Sequence, residues 1–118
     1  KVAQIIILGH SQCGGVQGCE AMCSGHAPEL EDPASFVGRW MDLLRPGWEE
    51  VRGIADERER LEALEKRAVL TSIDNLMTFP FVSAAVDRGD LALHGLWNDI
   101  VEGTLEYYDA ATDRFISI

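Results

Sequence analysis

The chain opens with an almost unbroken apolar run, residues 2–8, that ends at Gly9. A run without polar alternation is typical of a β-strand covered on both faces, as in the middle of a parallel sheet. His10 and Cys13 follow this strand at once, and two glycines come next, where a helix can begin. Because open α/β sheets place their ligands at this end of their strands, we expect the chemistry of the protein in this loop.

The rest of the chain places helices before a C-terminal hairpin. The fold class is therefore α/β, with a mostly parallel central β-sheet, flanking helices and a C-terminal antiparallel hairpin at the sheet edge. The apolar spacing and the Gly and Pro signals predict helices over residues 16–23, 33–45, 59–77 and 81–87, and strands over residues 91–97, 105–108 and 115–118.

In the middle of the chain the sequence predicts the start of a helix, its end and a charged segment that follows it. Asp32 and Pro33 are typical of an N-cap followed by the first helical residue. Pro46 and Gly47 are expected to end that helix. Residues 48–66 mix acidic and basic side chains densely, which predicts a solvated helix or helix pair on the outside of the fold.

Composition limits the classes of protein and partner. The 118 residues are 47% hydrophobic and 25% charged, which fits one soluble domain spanning residues 1–118. A formal net charge of −10 argues against nucleic acid or an anionic membrane surface as partner. Three cysteines form a poor disulfide framework and suit a reducing compartment, so we expect a cytoplasmic protein without membrane spans.

His10 and Cys13 together suggest a metal site, because imidazole and thiolate are the usual zinc ligands. The helix expected after them would favour a thiolate through its dipole. A structural histidine and a buried thiol are the alternative interpretation of the same two residues.

The glycines fit neither a P-loop nor a dinucleotide fingerprint. A serine hydrolase remains open, because Gly9, His10 and Ser11 resemble the start of a G-x-S-x-G nucleophile elbow. Cys13 stands where the elbow has its second glycine, and His94 is the only plausible downstream base.

The segment GHSQCGG after an apolar strand resembles the H-x-x-C zinc motif of the β-class carbonic anhydrases. The resemblance continues through FVGRWMDLL, the long segment AVLTSIDNLMTFPFVSAAVDRGDLALHGLWNDIVEGTLEYYD and the closing DRFISI. It implies that His10 and Cys13 are two of three protein ligands of a catalytic Zn²⁺, with Gly14 and Gly15 shaping the pocket floor. It also implies reversible hydration of carbon dioxide to bicarbonate, a lyase activity, in a homodimer or higher oligomer.

The C-x-D-x-R motif of that family is absent from the chain. The chain is therefore expected to be the C-terminal portion of the domain and inactive alone. A missing N-terminal segment or a second chain would supply the Cys ligand and the Asp–Arg dyad, so no catalytic residue is assignable here. An inactive fragment or a noncatalytic assembly subunit is the alternative. Cys19 and Cys23 are expected to be buried thiols, and His26 a solvated loop residue.

Overall fold

The computed structural model describes residues 1–118. Its contacts divide the chain into two compact units, a sheet unit (residues 1–11 and 69–118) and a helical unit (residues 12–68). The strands are β1 Gln4–His10, β2 Ala92–Asp99, β3 Thr104–Asp109 and β4 Arg114–Ser117. The helices are α1 Gly14–Cys23, α2 Phe36–Met41, α3 Arg45–Val51, α4 Glu57–Met77 and α5 Pro80–Asp87, with short 3₁₀ turns at Pro28–Glu31 and Asp42–Leu44. The prediction of one domain stays a prediction.

The sheet unit contains a four-stranded sheet in the order β1-β2-β3-β4. β1 and β2 run parallel, with Gln4 opposite Ala92 and His10 opposite Asn98. The other two pairings are antiparallel. The α/β class and the C-terminal hairpin at the sheet edge are confirmed, but the sheet is not mostly parallel, because only the strand pair joined through the helices can be parallel.

β1 lies at the other edge of this sheet and pairs on one side only. Its residues alternate between exposed and half-buried, and Ile6 and Leu8 are 60% and 59% exposed. The apolar run predicts a strand that is covered on both faces. The described residues do not cover β1 in this way. An unpaired edge that carries apolar side chains is a surface that proteins normally cover.

The two helices before β2 follow their sequence signals closely. α4 begins two residues before its predicted start and ends at Met77 as predicted. Pro80 opens α5, and Gly89 adopts a φ of 78° after it, the left-handed conformation that suits a helix C-terminus.

Gly95 of β2 explains how α4 packs on the sheet. A Cβ added at Gly95 would lie 2.9 Å from Cγ1 of Val69 and 3.1 Å from Cδ1 of Ile73. Both side chains belong to the second half of α4, so the glycine allows the helix to approach the strand closely.

The core of the helical unit includes apolar side chains from the charged segment, residues 48–66. Trp48 is 7% exposed and Leu64 is fully buried, and both pack in one cluster with Val16, Cys19 and Val51. The prediction that residues 48–66 form only a solvated exterior is therefore wrong. Apolar residues on one side of α3 and α4 are buried, while charged residues such as Glu49, Arg52 and Arg58 stay exposed. Glu65 is an exception, since it is only 5% exposed.

The boundaries of the middle helices also differ from prediction. α2 begins after Ser35, whose hydroxyl accepts a hydrogen bond from the Gly38 amide at 3.0 Å. Asp32 instead accepts from the Ala34 amide at 2.8 Å, so it shapes the preceding turn. Pro46 lies in the first turn of α3 and does not end a helix there, because proline is equally suited to a helix start.

No single helix has the length and hydropathy to cross a bilayer. Together α4 and α5 meet the length and composition criterion, but they are bent by 94° at the break between them.

Candidate metal centre

His10 is the last residue of β1 and its side chain is exposed. The ring Nδ1 lies 2.7 Å from the carbonyl oxygen of Ser11. A carbonyl oxygen can only accept, so Nδ1 carries the proton and Nε2 presents its lone pair. Imidazoles that bind metals almost always donate their second ring N–H to such an acceptor, so His10 fits the role of a metal ligand.

Cys13 is the N-cap residue of α1, and its thiol is half-buried. Its carbonyl oxygen accepts the first hydrogen bond of the helix from the Gln17 amide at 3.0 Å. The thiol makes no capping hydrogen bond, so the sulfur is not engaged by the helix it precedes. The positive end of the helix dipole favours an anionic ligand at this position.

Gln12 separates Cys13 from the sheet unit and has a φ of 54°. This left-handed conformation is uncommon for a residue with a Cβ. His10 belongs to the sheet unit and Cys13 to the helical unit. The H-x-x-C motif associates the two residues.

Gly14 and Gly15 form the first turn of α1. A Cβ added at Gly14 would meet no atom within 4 Å, and one added at Gly15 would lie 3.9 Å from the Cys13 sulfur, an ordinary contact. The described residues therefore do not require glycine at either position for packing. The predicted role of the two glycines in a pocket floor stays a prediction.

We expect Gly14→Ala and Gly15→Ala to leave folding stability unchanged or to raise it by up to about 1 kcal/mol, because alanine favours a helix more than glycine does. Only Gly15→Ala places a methyl group beside the Cys13 sulfur. Gly15→Ala should therefore weaken zinc binding more than Gly14→Ala does. Thermal unfolding and competition with a zinc chelator measure the two effects. Equal zinc affinity in both variants would contradict a role for Gly15 beside the ligand.

Cys19 and Cys23 lie one turn apart on α1, with 3.8 Å between their sulfur atoms. Burial raises the pKa of Cys19 to about 12 and also raises that of Cys23. The prediction of a buried thiol is confirmed for Cys19, which is fully buried, while Cys23 is half-buried. Metal ligation requires the thiolate, so these environments oppose such a role.

His26 is a solvated loop residue, as predicted. Its Nδ1 lies 2.8 Å from the Ser24 hydroxyl, and its side chain is exposed.

The described residues contain no group of three or more His, Cys, Asp or Glu side chains that could hold a metal ion. A catalytic zinc has three protein ligands and one open position. His10 and Cys13 offer an imidazole and a thiol with the right donor chemistry, but the chain by itself does not complete such a site.

The structure argues against the serine hydrolase alternative. The Ser11 amide donates to the carbonyl of Asn98, whereas His94 lies four residues earlier on β2 and its ring contacts the Gln4 side chain. Four strand residues span about 13 Å. Because a catalytic base must reach the serine hydroxyl directly, His94 cannot activate Ser11 in this arrangement.

Asp99 is the residue near the motif that the sequence did not single out. It ends β2, is buried, and its Oδ1 accepts from the amides of Val101 and Glu102 at 3.0 and 3.1 Å. The same oxygen lies 3.4 Å from the Ser11 hydroxyl. An Asp at the start of a turn was the available signal, but its proximity to Ser11 depends on the pairing of β1 with β2.

The fold defines a mixed α/β protein in which an H-x-x-C motif follows the parallel strand β1. A family model described as carbonic anhydrase matches residues 1–105. The chain belongs to the β-carbonic anhydrase family.

Individual relatives agree with this assignment. The chain is 32% identical over 119 aligned positions to carbonic anhydrase 1 of Escherichia coli O157:H7, with 100% of the chain and 52% of the relative covered. The solved structure of the β-carbonic anhydrase CcaA matches with a TM-score of 0.86 and 28% identity, over 99% of this chain and 56% of that one. A tetrameric β-carbonic anhydrase of Sordaria macrospora matches with a TM-score of 0.71 and 28% identity, over 91% and 52% of the two chains. The chain thus spans about half the length of the relatives it matches.

Proposed function

We propose that this protein forms part of a zinc-dependent carbonic anhydrase that interconverts carbon dioxide and bicarbonate. The observation that carries the proposal is the H-x-x-C motif at the end of β1 in a chain that matches the family over residues 1–105. His10 supports it further, because its hydrogen bond to the Ser11 carbonyl leaves Nε2 available for a metal.

His10 Nε2 and the Cys13 sulfur would hold the ion. When bound, zinc would supply the acidity of the reaction, since it lowers the pKa of a coordinated water molecule to about 7. Gly14 and Gly15 would keep side chains away from the open position. The Cys13 thiol must lose its proton to bind, so metal uptake by this chain would release a proton.

A third ligand and the Asp–Arg dyad would come from outside residues 1–118, either from another segment of the same protein or from a second chain. The exposed apolar side chains of β1 and its unpaired edge offer a place for such a segment. The tetrameric assembly of the Sordaria macrospora relative supports a dimer or higher oligomer here. We place the protein in the cytoplasm, in keeping with its free thiols.

An inactive fragment or noncatalytic assembly subunit is the second candidate. The observation in its favour is that the described residues hold no cluster of three metal-ligating side chains. Such a protein would keep the fold and its contacts with partner chains but would bind zinc weakly.

Metal analysis and stopped-flow hydration assays on the protein purified at its natural length test the two candidates. A carbonic anhydrase should copurify with about one zinc ion for each complete site and should hydrate carbon dioxide. The 118-residue chain alone should bind zinc weakly and show little or no activity. A natural-length protein without zinc and without hydration activity would favour the assembly subunit.

A further inference from the structure

Ser11 is held at the end of β2 by both its backbone and its side chain. Its amide donates to the Asn98 carbonyl at 2.9 Å, which extends the parallel pairing one residue past β1. Its hydroxyl oxygen accepts from the Ile100 amide at 2.9 Å and lies 3.4 Å from Asp99 Oδ1. A short side chain that contacts two consecutive residues at the start of one turn restrains the residue that carries it.

Asp99 gives this arrangement a fixed partner. The carboxylate is buried, and two successive turn amides, those of Val101 and Glu102, donate to its Oδ1. A buried carboxylate held by backbone amides has little freedom to move. The Ser11 hydroxyl therefore meets an acceptor whose position the β2–β3 turn determines.

The carbonyl of Ser11, which lies in the next peptide unit, accepts from Nδ1 of His10 at 2.7 Å. Because the Ser11 amide and hydroxyl are both bound to the end of β2 and the following turn, the direction of this carbonyl is restrained. It selects the His10 tautomer with the proton on Nδ1 and directs Nε2 away from the peptide.

We propose that Ser11 and Asp99 are positioning residues that orient the His10 imidazole for metal binding. This inference rests on the proposed zinc site and extends it to two residues that do not bind the ion. Ser11 acts through its own carbonyl oxygen, and Asp99 acts through the Ser11 hydroxyl.

Zinc affinity, measured by competition with a chromogenic chelator on the natural-length protein, tests the proposal. Ser11→Ala removes the hydroxyl, and Ser11→Thr keeps it. Thr112→Val is the matched control, because the Thr112 hydroxyl donates to Asp109 at 2.8 Å in the β3–β4 turn, far along the chain from His10. We expect Ser11→Ala to weaken zinc binding by about 10-fold, the lower end of the effect of losing a ligand's hydrogen-bond partner, because the Ser11 carbonyl itself remains. Ser11→Thr and Thr112→Val should bind zinc as the native protein does.

A second readout uses the metal-free protein and does not depend on activity. Nitrogen NMR of the His10 ring should show the Nδ1–H tautomer in the native protein and a mixture of tautomers in Ser11→Ala. Thermal unfolding of the metal-free variants separates a positioning role from a loss of stability, since Ser11→Ala and Thr112→Val each remove one turn hydroxyl.

The outcomes are distinct. Failure of the native protein to bind zinc would overturn the proposed function and this inference with it. Native zinc affinity and an unchanged tautomer in Ser11→Ala would overturn the positioning role alone. An equal loss of affinity in Thr112→Val, or no recovery in Ser11→Thr, would also overturn it, because the effect would then not be specific to the Ser11 hydroxyl.

Discussion

Replacing His10 or Cys13 by alanine should abolish zinc retention and carbon dioxide hydration in the natural-length protein. Each substitution removes one of the three protein ligands of the proposed site. A zinc ion that has lost one of these ligands is bound too weakly to be retained. Metal analysis after gel filtration and stopped-flow hydration measure the two losses. Both variants should fold, because the His10 side chain is exposed and the Cys13 thiol makes no capping hydrogen bond.

Matched controls are available in the same chain. His26→Ala removes an exposed histidine whose ring hydrogen-bonds the Ser24 hydroxyl. Cys23→Ala removes a half-buried thiol. Both should retain zinc and activity. Full activity in His10→Ala or Cys13→Ala would reject the assignment of the site, and loss of zinc in His26→Ala would show that the ligand set had been misidentified.

Gly38→Ala should be the most disruptive single methyl addition in the helical unit. Gly38 is buried in α2, and an added Cβ would lie 1.8 Å from the carbonyl oxygen of Leu30. That oxygen belongs to the backbone, so a rotamer change cannot relieve the clash. We expect the free energy of unfolding to fall by about 3 kcal/mol, the upper part of the range for overpacking.

Gly53→Ala is the control for Gly38→Ala, because an added Cβ at Gly53 meets no atom within 4 Å. Urea unfolding followed by circular dichroism should show a stability within about 0.5 kcal/mol of the native protein for this variant. Equal stability of the two variants would mean that the Leu30 turn moves away from α2 at little cost.

Local signals in the sequence were sufficient for several elements. α1 ends at the predicted Cys23, α5 starts at the proline that was expected to break the chain, and Gly89 follows α5 in a left-handed conformation. In each case the sequence signal lies within a few residues of the helix end that it determines. Helix capping and the fixed backbone of proline are therefore sufficient to set these ends.

Competing local signals were resolved by contacts that sequence patterns do not contain. Asp32 and Ser35 are both good N-cap residues, and the structure uses Ser35 for α2 and Asp32 for the turn before it. Gly38 lies directly against the Leu30 carbonyl, so the position of α2 depends on how it packs on the preceding 3₁₀ turn. The burial of Trp48 and Leu64 likewise results from packing in a common core with α1.

The sequence by itself determined the α/β class, the family and the two candidate ligands, since the H-x-x-C motif and its apolar strand are contiguous in the chain. Only the tertiary structure revealed the long-range contacts of Ser11, whose carbonyl accepts from His10 Nδ1. Ser11 meets Asp99 across 88 positions of sequence because β1 and β2 pair in parallel with His10 opposite Asn98. Such a contact follows from strand register, and register is decided by the packing of the whole sheet unit and not by the residues on either side of the bond.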